Sequence, residues 1–366
     1  MPSETFTTSQ SAPAQATTAS RVCLLADDLT GACDAGAAFL GAGLGVRVWL
    51  GERALFAAQE AVQAYNTASR ALPAHEAAEA VARATAAMET GEGAILFKKI
   101  DSAARGPIAA ELQAAQQALG ARAILLAPGF PAAGRTVRNG ILEISDASGQ
   151  NATVDLRELF PAPMLEAMVS VCSAGEVAAA IESGKTVLLC DSATQEDLNA
   201  LARAAQPFAG LLYAGSAGLA RAIANLYGTH ALPAPRAAAS RTLVVAGSAH
   251  PVTKLQLEHL EGVAHRHRGL HILRIECEAG DEAKIREAFR SLEPEALILT
   301  GGDTALFAGQ ALGAHSILLQ GEFAPGIPWG ILEGGVAHGR IAVTKSGGFG
   351  SATALNDLIA HLSGAA

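Results

Sequence analysis

The chain has 366 residues, of which 50% are hydrophobic and 17% are charged, and its formal net charge at pH 7 is -9. This length predicts two domains with ample cores. The acidic balance argues against binding nucleic acid by overall attraction, and no apolar run is long enough to predict a membrane span. The five cysteines are scattered without Cys-x-x-Cys spacing, which fits neither a zinc site nor a disulfide framework. We therefore expect a cytoplasmic α/β enzyme that acts on a small molecule, with no nucleic-acid or membrane partner.

The beginning of the chain predicts a disordered tail followed by a strand, a polar turn and a helix of small residues. Residues 1–20 are rich in Ser, Thr, Ala and Gln and lack a basic residue, which fits neither a signal peptide nor a transit peptide. The turn after the strand carries Asp27 and Asp28, and Asp34 follows about one helical turn later. Ligands of open parallel sheets bind at the carboxyl ends of strands, and two consecutive aspartates exceed what one helix cap requires. We expect Asp27 and Asp28 to be catalytic, and the sequence leaves the choice between them open.

Three more strand ends in the first half carry polar side chains. A strand near Tyr65 ends in polar residues, the strand that begins at Ala94 ends in a run of charges, and the strand from Ala123 breaks into a loop rich in Pro and Gly. Arginine suits a carboxylate because its fork binds two oxygens at once, although a solvated charged loop is the alternative. The residues expected to bind the substrate are Asn66, Ser69, Arg70, Lys98, Lys99, Asp101, Ser102, Arg105 and Arg135.

Further strands at residues 186–191 and 210–219 continue an alternation of strands and helices, which predicts a parallel sheet flanked by helices. Residues 232–240 are rich in Pro and Ala and predict a linker. The expected organisation is therefore an N-terminal domain over 21–231 and a dissimilar C-terminal α/β domain with a mixed sheet over 241–366.

The second half contains two apolar runs that each end in a glycine pair, at residues 295–304 and 341–350. Such a run predicts a buried strand, and the glycines let the backbone turn and cradle an anion with its amides. A Gly-Ser turn after the strand at 242–246 repeats the pattern, and residues 321–330 predict a stiff loop beside the same cleft. The residues expected to bind a nucleotide are Ser248, Gly301, Gly302, Asp303, Thr304, Lys345, Gly347 and Gly348.

Taken in order, these blocks resemble the four-carbon acid sugar kinase family (the DUF1537 proteins), over about Val22 to Leu358. In the first half the resemblance rests on Ala26-Asp-Asp-Leu-Thr-Gly-Ala32, Lys98-Lys-Ile-Asp-Ser102 with Arg105-Gly106, and Pro128-Gly-Phe-Pro131 with Gly134-Arg-Thr136. In the second half it rests on Gly247-Ser248 with Pro251-Val-Thr253, Gly301-Gly302-Asp-Thr304, Gly321-Glu322 with Pro325-Gly-Ile-Pro328, and Lys345-Ser-Gly-Gly-Phe-Gly350.

The resemblance implies a two-domain kinase whose N-terminal domain binds threonate, erythronate or 3-oxotetronate and whose C-terminal domain binds ATP. The C4 hydroxyl of the acid is then phosphorylated, with Mg²⁺ held by phosphate oxygens and few protein ligands. The family typically reads Asp-Ser-Thr-Leu-Arg-Gly-Asn where this chain reads Asp-Ser-Ala-Ala-Arg-Gly-Pro. The sequence therefore leaves the identity of the substrate acid open.

In this interpretation Lys99 and Arg105 anchor the substrate carboxylate, Lys345 meets a phosphate, and Asp27 or Asp28 orients or deprotonates the attacking hydroxyl. Asp101 is alternatively available to a substrate hydroxyl. The competing hypotheses are a non-catalytic sensor of sugar acids, a kinase of another hydroxy acid, and an NAD-dependent dehydrogenase. The dehydrogenase requires a Gly-x-Gly-x-x-Gly directly after a strand, which the chain lacks. The oligomeric state is open, with a homodimer as one alternative.

Overall fold

The computed structural model describes residues 20–228 and 237–364, apart from residues 53, 55, 89, 146–148 and 150. Residues 1–19 of the expected tail and residues 232–236 of the expected linker therefore lie outside the part that it describes. The end of the expected linker is described, and it is packed rather than free: Ala237 and Ala239 are buried, and the amide of Ala239 donates to the carbonyl of Leu362.

The described chain alternates strands and helices along most of its length. The strands are β1 Ser20–Ala26, β2 Val46–Trp49, β3 Val62–Asn66, β4 Thr90–Lys99, β5 Ala123–Ala127, β6 Arg135–Arg138, β7 Ile141–Ser145, β8 Asn151–Asp155, β9 Met168–Val171, β10 Val187–Cys190, β11 Leu211–Gly215, β12 Thr242–Ala246, β13 Leu270–Arg274, β14 Ala296–Thr300, β15 Ser316–Ala324, β16 Ile327–Glu333 and β17 Ile341–Lys345. The helices are α1 Leu29–Ala37, α2 Ala74–Ala86, α3 Ile108–Leu119, α4 Ala162–Glu166, α5 Val177–Glu182, α6 Gln195–Ala205, α7 Ala217–Ala224, α8 Pro251–Val263, α9 Asp281–Leu292, α10 Gly302–Ala311 and α11 Ala354–Leu362. Among these described helices, none is both long and apolar enough to cross a membrane.

The N-terminal half is built on a parallel sheet in the order β2-β3-β1-β4-β11-β5-β10-β9. Helices cover both faces, so the central strands read as unbroken apolar runs, and every residue of β5 is buried. On one face the buried residues of α1, α5, α6 and α7 form a cluster, and on the other face α2 and α3 pack. This is the parallel, helix-covered sheet that the sequence predicts.

The C-terminal half has a mixed sheet. β13, β12, β14 and β17 are parallel neighbours, and the hairpin of β15 and β16 continues the sheet in antiparallel fashion. Helices α8 and α11 cover one face of this half, whereas α9 and α10 cover the other. The prediction of two dissimilar α/β regions with a mixed second sheet is confirmed.

The two sheets are joined edge to edge, which the sequence analysis does not predict. β2 pairs antiparallel with β15, with Ser316 opposite Trp49 and Leu318 opposite Arg47. Within the described residues fourteen strands therefore form one continuous sheet. The hydrophobic cluster on one face also runs through both halves, from Leu29 of α1 to Phe289 of α9.

Two segments predicted as loops are strands. Residues 135–138 form β6, which pairs with β7 and β8 in a separate antiparallel sheet packed on the N-terminal core. Asn139 and Gly140, both with positive φ, make the tight turn between β6 and β7, since an Asn-Gly pair favours such hairpins. Residues 321–330 likewise belong to the hairpin of β15 and β16, which turns at Gly326 with φ of +80°, so the predicted stiff loop is wrong.

Candidate active site

A cleft of about 720 Å³ lies where the two halves of the chain meet, beyond the carboxyl ends of the strands. Both halves contribute to its walls. From the N-terminal half the lining residues include Asp28, Thr30, Asp34, Arg70, Lys99, Asp101, Ser102, Ala103, Arg105, Arg135, Ile144 and Ala152. From the C-terminal half they include Gly247, Ser248, His250, Glu276, Cys277, Gly301, Gly302, Asp303, Thr304, Ser346, Gly347, Gly348 and Phe349.

Arg70 is the centre of a network of carboxylates at the floor of the cleft. Its guanidinium donates to both oxygens of Asp27, over 2.7 and 3.0 Å, and to Asp28 over 2.7 Å. Asp101 lies 3.6 Å from the same group. Burial alone would raise the pKa of Asp27, but the charges of Arg70, Lys98 and Lys99 outweigh burial and hold that pKa below its usual value. The guanidinium of Arg70 is therefore engaged by Asp27 and Asp28.

The two consecutive aspartates occupy different places. Asp27 is buried behind Arg70 and is absent from the cleft lining, whereas Asp28 lines the cleft. Asp28 caps α1 by accepting from the amide of Gly31 over 2.7 Å, and its other oxygen accepts from the Thr30 hydroxyl over 2.9 Å. Thr30 in turn accepts from the Ser346 hydroxyl, over 3.0 Å, so this contact links the two halves.

The neighbouring lysines of β4 point to opposite faces of the sheet, as alternation requires. Lys98 is fully buried against Glu111 of α3 at 2.9 Å and does not line the cleft. Lys99 lines the cleft, is 4% exposed, and donates to the carbonyl of Ile100 over 2.9 Å. Among the described residues no carboxylate forms an ion pair with Lys99, which leaves a buried cation facing the cleft.

Residues after β4 and in β6 complete the wall on the N-terminal side. Arg105 binds Asp101 through two hydrogen bonds of 2.7 and 2.8 Å, although its side chain is 61% exposed. Burial opposes ionisation of Asp101, but Arg105 and Arg70 hold its pKa well below the usual value. Arg135 lies over the ring of Phe349 from the other half, 5.3 Å from its centroid. Ser102 lines the cleft beside them.

Besides Lys98, two more residues expected to bind the substrate lie outside the cleft lining. Asn66 donates to the carbonyl of Leu50 and accepts from the amide of Ala68, so it fixes the turn after β3. The hydroxyl of Ser69 bonds to Glu111, which also holds Lys98. The structure brings both residues into the packing beneath the site rather than to its surface.

The nucleotide-binding expectations converge on the opposite wall. Gly301, with a φ of +97°, directly precedes α10 as its N-terminal cap, and the first turn of α10 brings Gly302, Asp303 and Thr304 to the cleft. Because first-turn amides have no intrahelical acceptor, this helix start offers N–H groups to an anion. A Cβ on Gly302 would collide with the carboxylate of Asp28 across the cleft, so the two halves touch at this glycine.

Lys345 organises the second glycine turn from within. It is fully buried and donates to the carbonyls of Ser346, Gly347 and Phe349 over 2.9, 3.3 and 3.2 Å. It does not line the cleft, so the expected direct phosphate contact is not what its position offers. Burial lowers the pKa of Lys345 to about 7.

Side chains of α8 hold the same loop. Thr253 donates to the carbonyl of Gly347, and Gln256 donates to that of Phe349. The loop carbonyls are thus directed inward, and no acceptor among the described residues takes up the amides of Gly347 or Gly348. Amides left in this way form an anion-binding nest.

The structure adds residues that the sequence analysis does not select. Thr30, Asp34, Ser346 and Phe349 line the cleft. Thr30, Ser346 and Phe349 lie inside motifs already noted for their neighbours, and Asp34 follows two residues after such a motif. Asp34 is the most unusual of them, because it is 2% exposed and its Oδ1 has no hydrogen-bond partner among the described residues. Its spacing of four residues from Thr30 along α1 is the signal that could have selected it.

Comparison with known proteins gives the family of this fold and cleft. A family model described as a sugar-binding N-terminal domain matches residues 22–223, and one described as a nucleotide-binding C-terminal domain matches residues 282–355. The D-threonate kinase of Bordetella bronchiseptica is 30% identical over 385 residues, which cover 89% of this chain and 94% of that protein. The chain belongs to the four-carbon acid sugar kinase family.

Other members of the family are more distant. The D-erythronate kinase of Heliobacterium modesticaldum is 25% identical, covering 94% of this chain and 97% of its own length. The crystal structure of a DUF1537 protein of Haemophilus influenzae has a TM-score of 0.64 at 20% identity, covering 94% of this chain and 99% of that one, and so shares its fold. In this kinase the sugar-binding and nucleotide-binding domains therefore form opposite walls of one cleft.

Proposed function

We propose that this kinase transfers the γ-phosphoryl group of ATP to the terminal C4 hydroxyl of a four-carbon sugar acid in the cytoplasm. The observation that carries the proposal is the composition of the cleft between its halves. A buried lysine without a carboxylate partner among the described residues faces a helix start and a glycine loop whose amides are free to bind phosphate. Phosphoryl transfer depends on charge neutralisation and alignment, and both can be supplied by these groups.

The nucleotide side of the proposal uses Ser248, the first turn of α10 and the loop after β17. Gly302, Asp303 and Thr304 offer backbone amides at the helix start, and Gly347 and Gly348 offer theirs from the loop. The amide of Gly301 instead donates to the carbonyl of Lys345 over 2.8 Å, which ties the helix start to the strand that leads into the loop. Lys345 contributes by holding the loop carbonyls away from the phosphates.

Magnesium fits this arrangement as a companion of the nucleotide. Among the described residues no group of three or more His, Cys, Asp or Glu side chains gathers as a metal site. Mg²⁺ commonly binds through phosphates and water with only one or two carboxylates, so the surroundings suit a metal that arrives with ATP. Bound in this way, it neutralises charge on the phosphate oxygens.

The acid side of the proposal uses the cations of the N-terminal half. Lys99, Arg105 and Arg135 supply positive charge for the carboxylate of the acid, and Ser102 supplies a hydroxyl. Asp27 and Asp28 hold Arg70 in place, and Asp28 helps to orient the acceptor hydroxyl at the contact between the halves. The D-threonate and D-erythronate kinases among the relatives support an acid of four carbons.

The test is a panel of three- to six-carbon sugar acids incubated with ATP and Mg²⁺, with ADP release measured and the product examined by ³¹P NMR. We expect turnover with one or two four-carbon acids and a phosphate monoester at C4. ATP binding without turnover on any acid would refute the proposed acceptor class. A protein that does not bind ATP would refute the kinase activity itself.

A further inference from the structure

Asp34 is a buried carboxylate of the cleft that has no role in the proposal above. Asp34 lies on α1 within the cleft lining, is 2% exposed, and leaves Oδ1 without a hydrogen-bond partner among the described residues. A buried carboxylate that lacks a partner is costly, so its retention calls for a ligand that supplies the missing donor. It sits four residues after Thr30, which places both on the face of α1 that meets the loop at Ser346.

The charges around Asp34 come from four other places in the fold. Lys99 of β4 and Asp28 at the start of α1 face the cleft, while Arg221 of α7 and Glu322 of β15 form an ion pair at 2.7 Å. Burial is the largest influence and raises the pKa of Asp34 to about 7; Lys99 and Arg221 oppose this increase, whereas Glu322 and Asp28 add to it. A group with such a pKa exchanges its proton readily near neutral pH.

The two aspartates that the sequence analysis expects to be catalytic are poorly suited to accept a proton. Both oxygens of Asp27 accept from the guanidinium of Arg70, and Asp27 lies behind the cleft wall. The oxygens of Asp28 accept from the amide of Gly31, the hydroxyl of Thr30 and the same guanidinium. Oxygens that already accept these hydrogen bonds have little capacity left to receive a proton from a substrate hydroxyl.

We propose that Asp34 is the catalytic residue that accepts the proton of the attacking hydroxyl. The inference rests on the proposed function. The hydroxyl oxygen of the acid forms a bond to the γ-phosphorus of ATP while the bond from that phosphorus to the β,γ-bridging oxygen breaks. The hydroxyl proton passes to the carboxylate of Asp34, and ADP leaves with the bridging oxygen and the electron pair of the broken bond. Asp34 returns its proton to solvent when the phosphorylated acid dissociates.

The decisive experiment compares wild type, Asp34→Asn, Asp34→Glu and Asp357→Asn, the last of which changes an exposed carboxylate of α11. Steady-state kinetics with D-threonate and D-erythronate are measured from pH 5.5 to 9.5. Asp34→Asn should lower kcat by about 10²- to 10⁴-fold and leave the KM for either acid little changed. It should also abolish the acidic limb in the pH profile of kcat. Asp34→Glu should keep that limb and recover part of the rate, and Asp357→Asn should match wild type.

Thermal unfolding supplies a readout that does not depend on activity. The folded-state pKa of Asp34 lies above its unfolded value of about 4, so the native protein holds an extra proton between about pH 4 and 7. Its contribution to stability is therefore present below about pH 4 and is lost as the pH rises through 7. The Tm of Asp34→Asn should exceed that of wild type by a margin that widens over this interval.

Each outcome bears on the proposal. A kcat for Asp34→Asn within about tenfold of wild type, with the acidic limb retained, would overturn it. A higher KM at unchanged kcat would make Asp34 a binding residue and overturn it as well, as would a Tm margin that is constant with pH. Wild type that is inactive with both acids and with every other acid of the panel above would refute the proposed function, and the inference would fall with it. Should Asp34→Asn not fold, Asp34→Ala, which also lacks a carboxylate, carries the same kinetic comparison.

Discussion

Replacing Arg70 by Met tests whether this arginine holds the floor of the cleft together. The substitution keeps the length of the side chain but removes a guanidinium that pairs with Asp27 and Asp28, whose side chains are 3% and 7% exposed. Removing one partner of a buried ion pair costs about 3–5 kcal/mol, because the remaining charge stays buried without compensation. With more than one carboxylate deprived of its partner, we expect Arg70→Met to lower the free energy of unfolding by an amount at the upper end of that interval.

The assay is urea-induced unfolding at pH 7, followed by circular dichroism, with Arg105→Met as the matched control. Arg105 pairs with Asp101 in the same network, but its side chain is 61% exposed, so its loss should cost at most about 1 kcal/mol. Because Arg70 helps to keep the pKa of Asp27 low, its stabilisation is present above the unfolded pKa of about 4 and is lost as the pH falls further. A loss below about 1 kcal/mol at pH 7, or one that persists unchanged at pH 2.5, would refute the reasoning.

Three further predictions concern the two walls of the cleft. Gly302→Ala should lower kcat/KM about a hundredfold, because the added Cβ collides with the carboxylate of Asp28 on the opposite wall. The control Gly262→Ala, at an open helical position, should match wild type. Equal kcat/KM values for the two variants would contradict the contact between the walls. Lys99→Met should raise the KM for the acid by about 10- to 100-fold in steady-state assays and leave Tm unchanged. Lys98→Met leaves the buried Glu111 without its ion-pair partner and should therefore lower Tm. The reverse pattern would exchange the roles of the two lysines. Lys345→Met should weaken ADP binding at least about tenfold by calorimetry, because the carbonyls of the glycine loop lose their hydrogen-bond donor. An unchanged affinity for ADP would show that the loop keeps its shape without Lys345.

The sequence predicts the elements whose signals are local. Apolar runs followed by polar turns locate β1, β5, β12, β14 and β17. The hairpin of β6 and β7 was also within reach, because Asn139-Gly140 is flanked by alternating residues. The pairing of β2 with β15 could not be predicted, because the two strands lie some 270 positions apart and neither carries a local sequence signal for the pairing.

The candidate site shows the same division. Residue types at strand ends identify the aspartates, lysines and glycines of the cleft, but side-chain direction decides which of them reach it. Lys98 and Lys99 are chemically equal in the sequence, and only the placement of β4 between α3 and α1 sends one into an ion pair and the other to the cleft. The lack of a partner for Asp34 is likewise a property of distant elements, because the charges nearest to it come from β4, α7 and β15.

The antiparallel pairing of β2 with β15, called the seam below, means that the two halves are not independently exchangeable modules. Cutting the chain between them would bare the backbone donors and acceptors of two formerly interior strands, Val46–Trp49 and Ser316–Ala324. An unprotected edge of apolar residues recruits other chains, so each fragment alone should self-associate. Grafting the nucleotide-binding half onto another sugar-binding half would have to recreate this seam residue by residue, and the two portions should melt together as one cooperative unit.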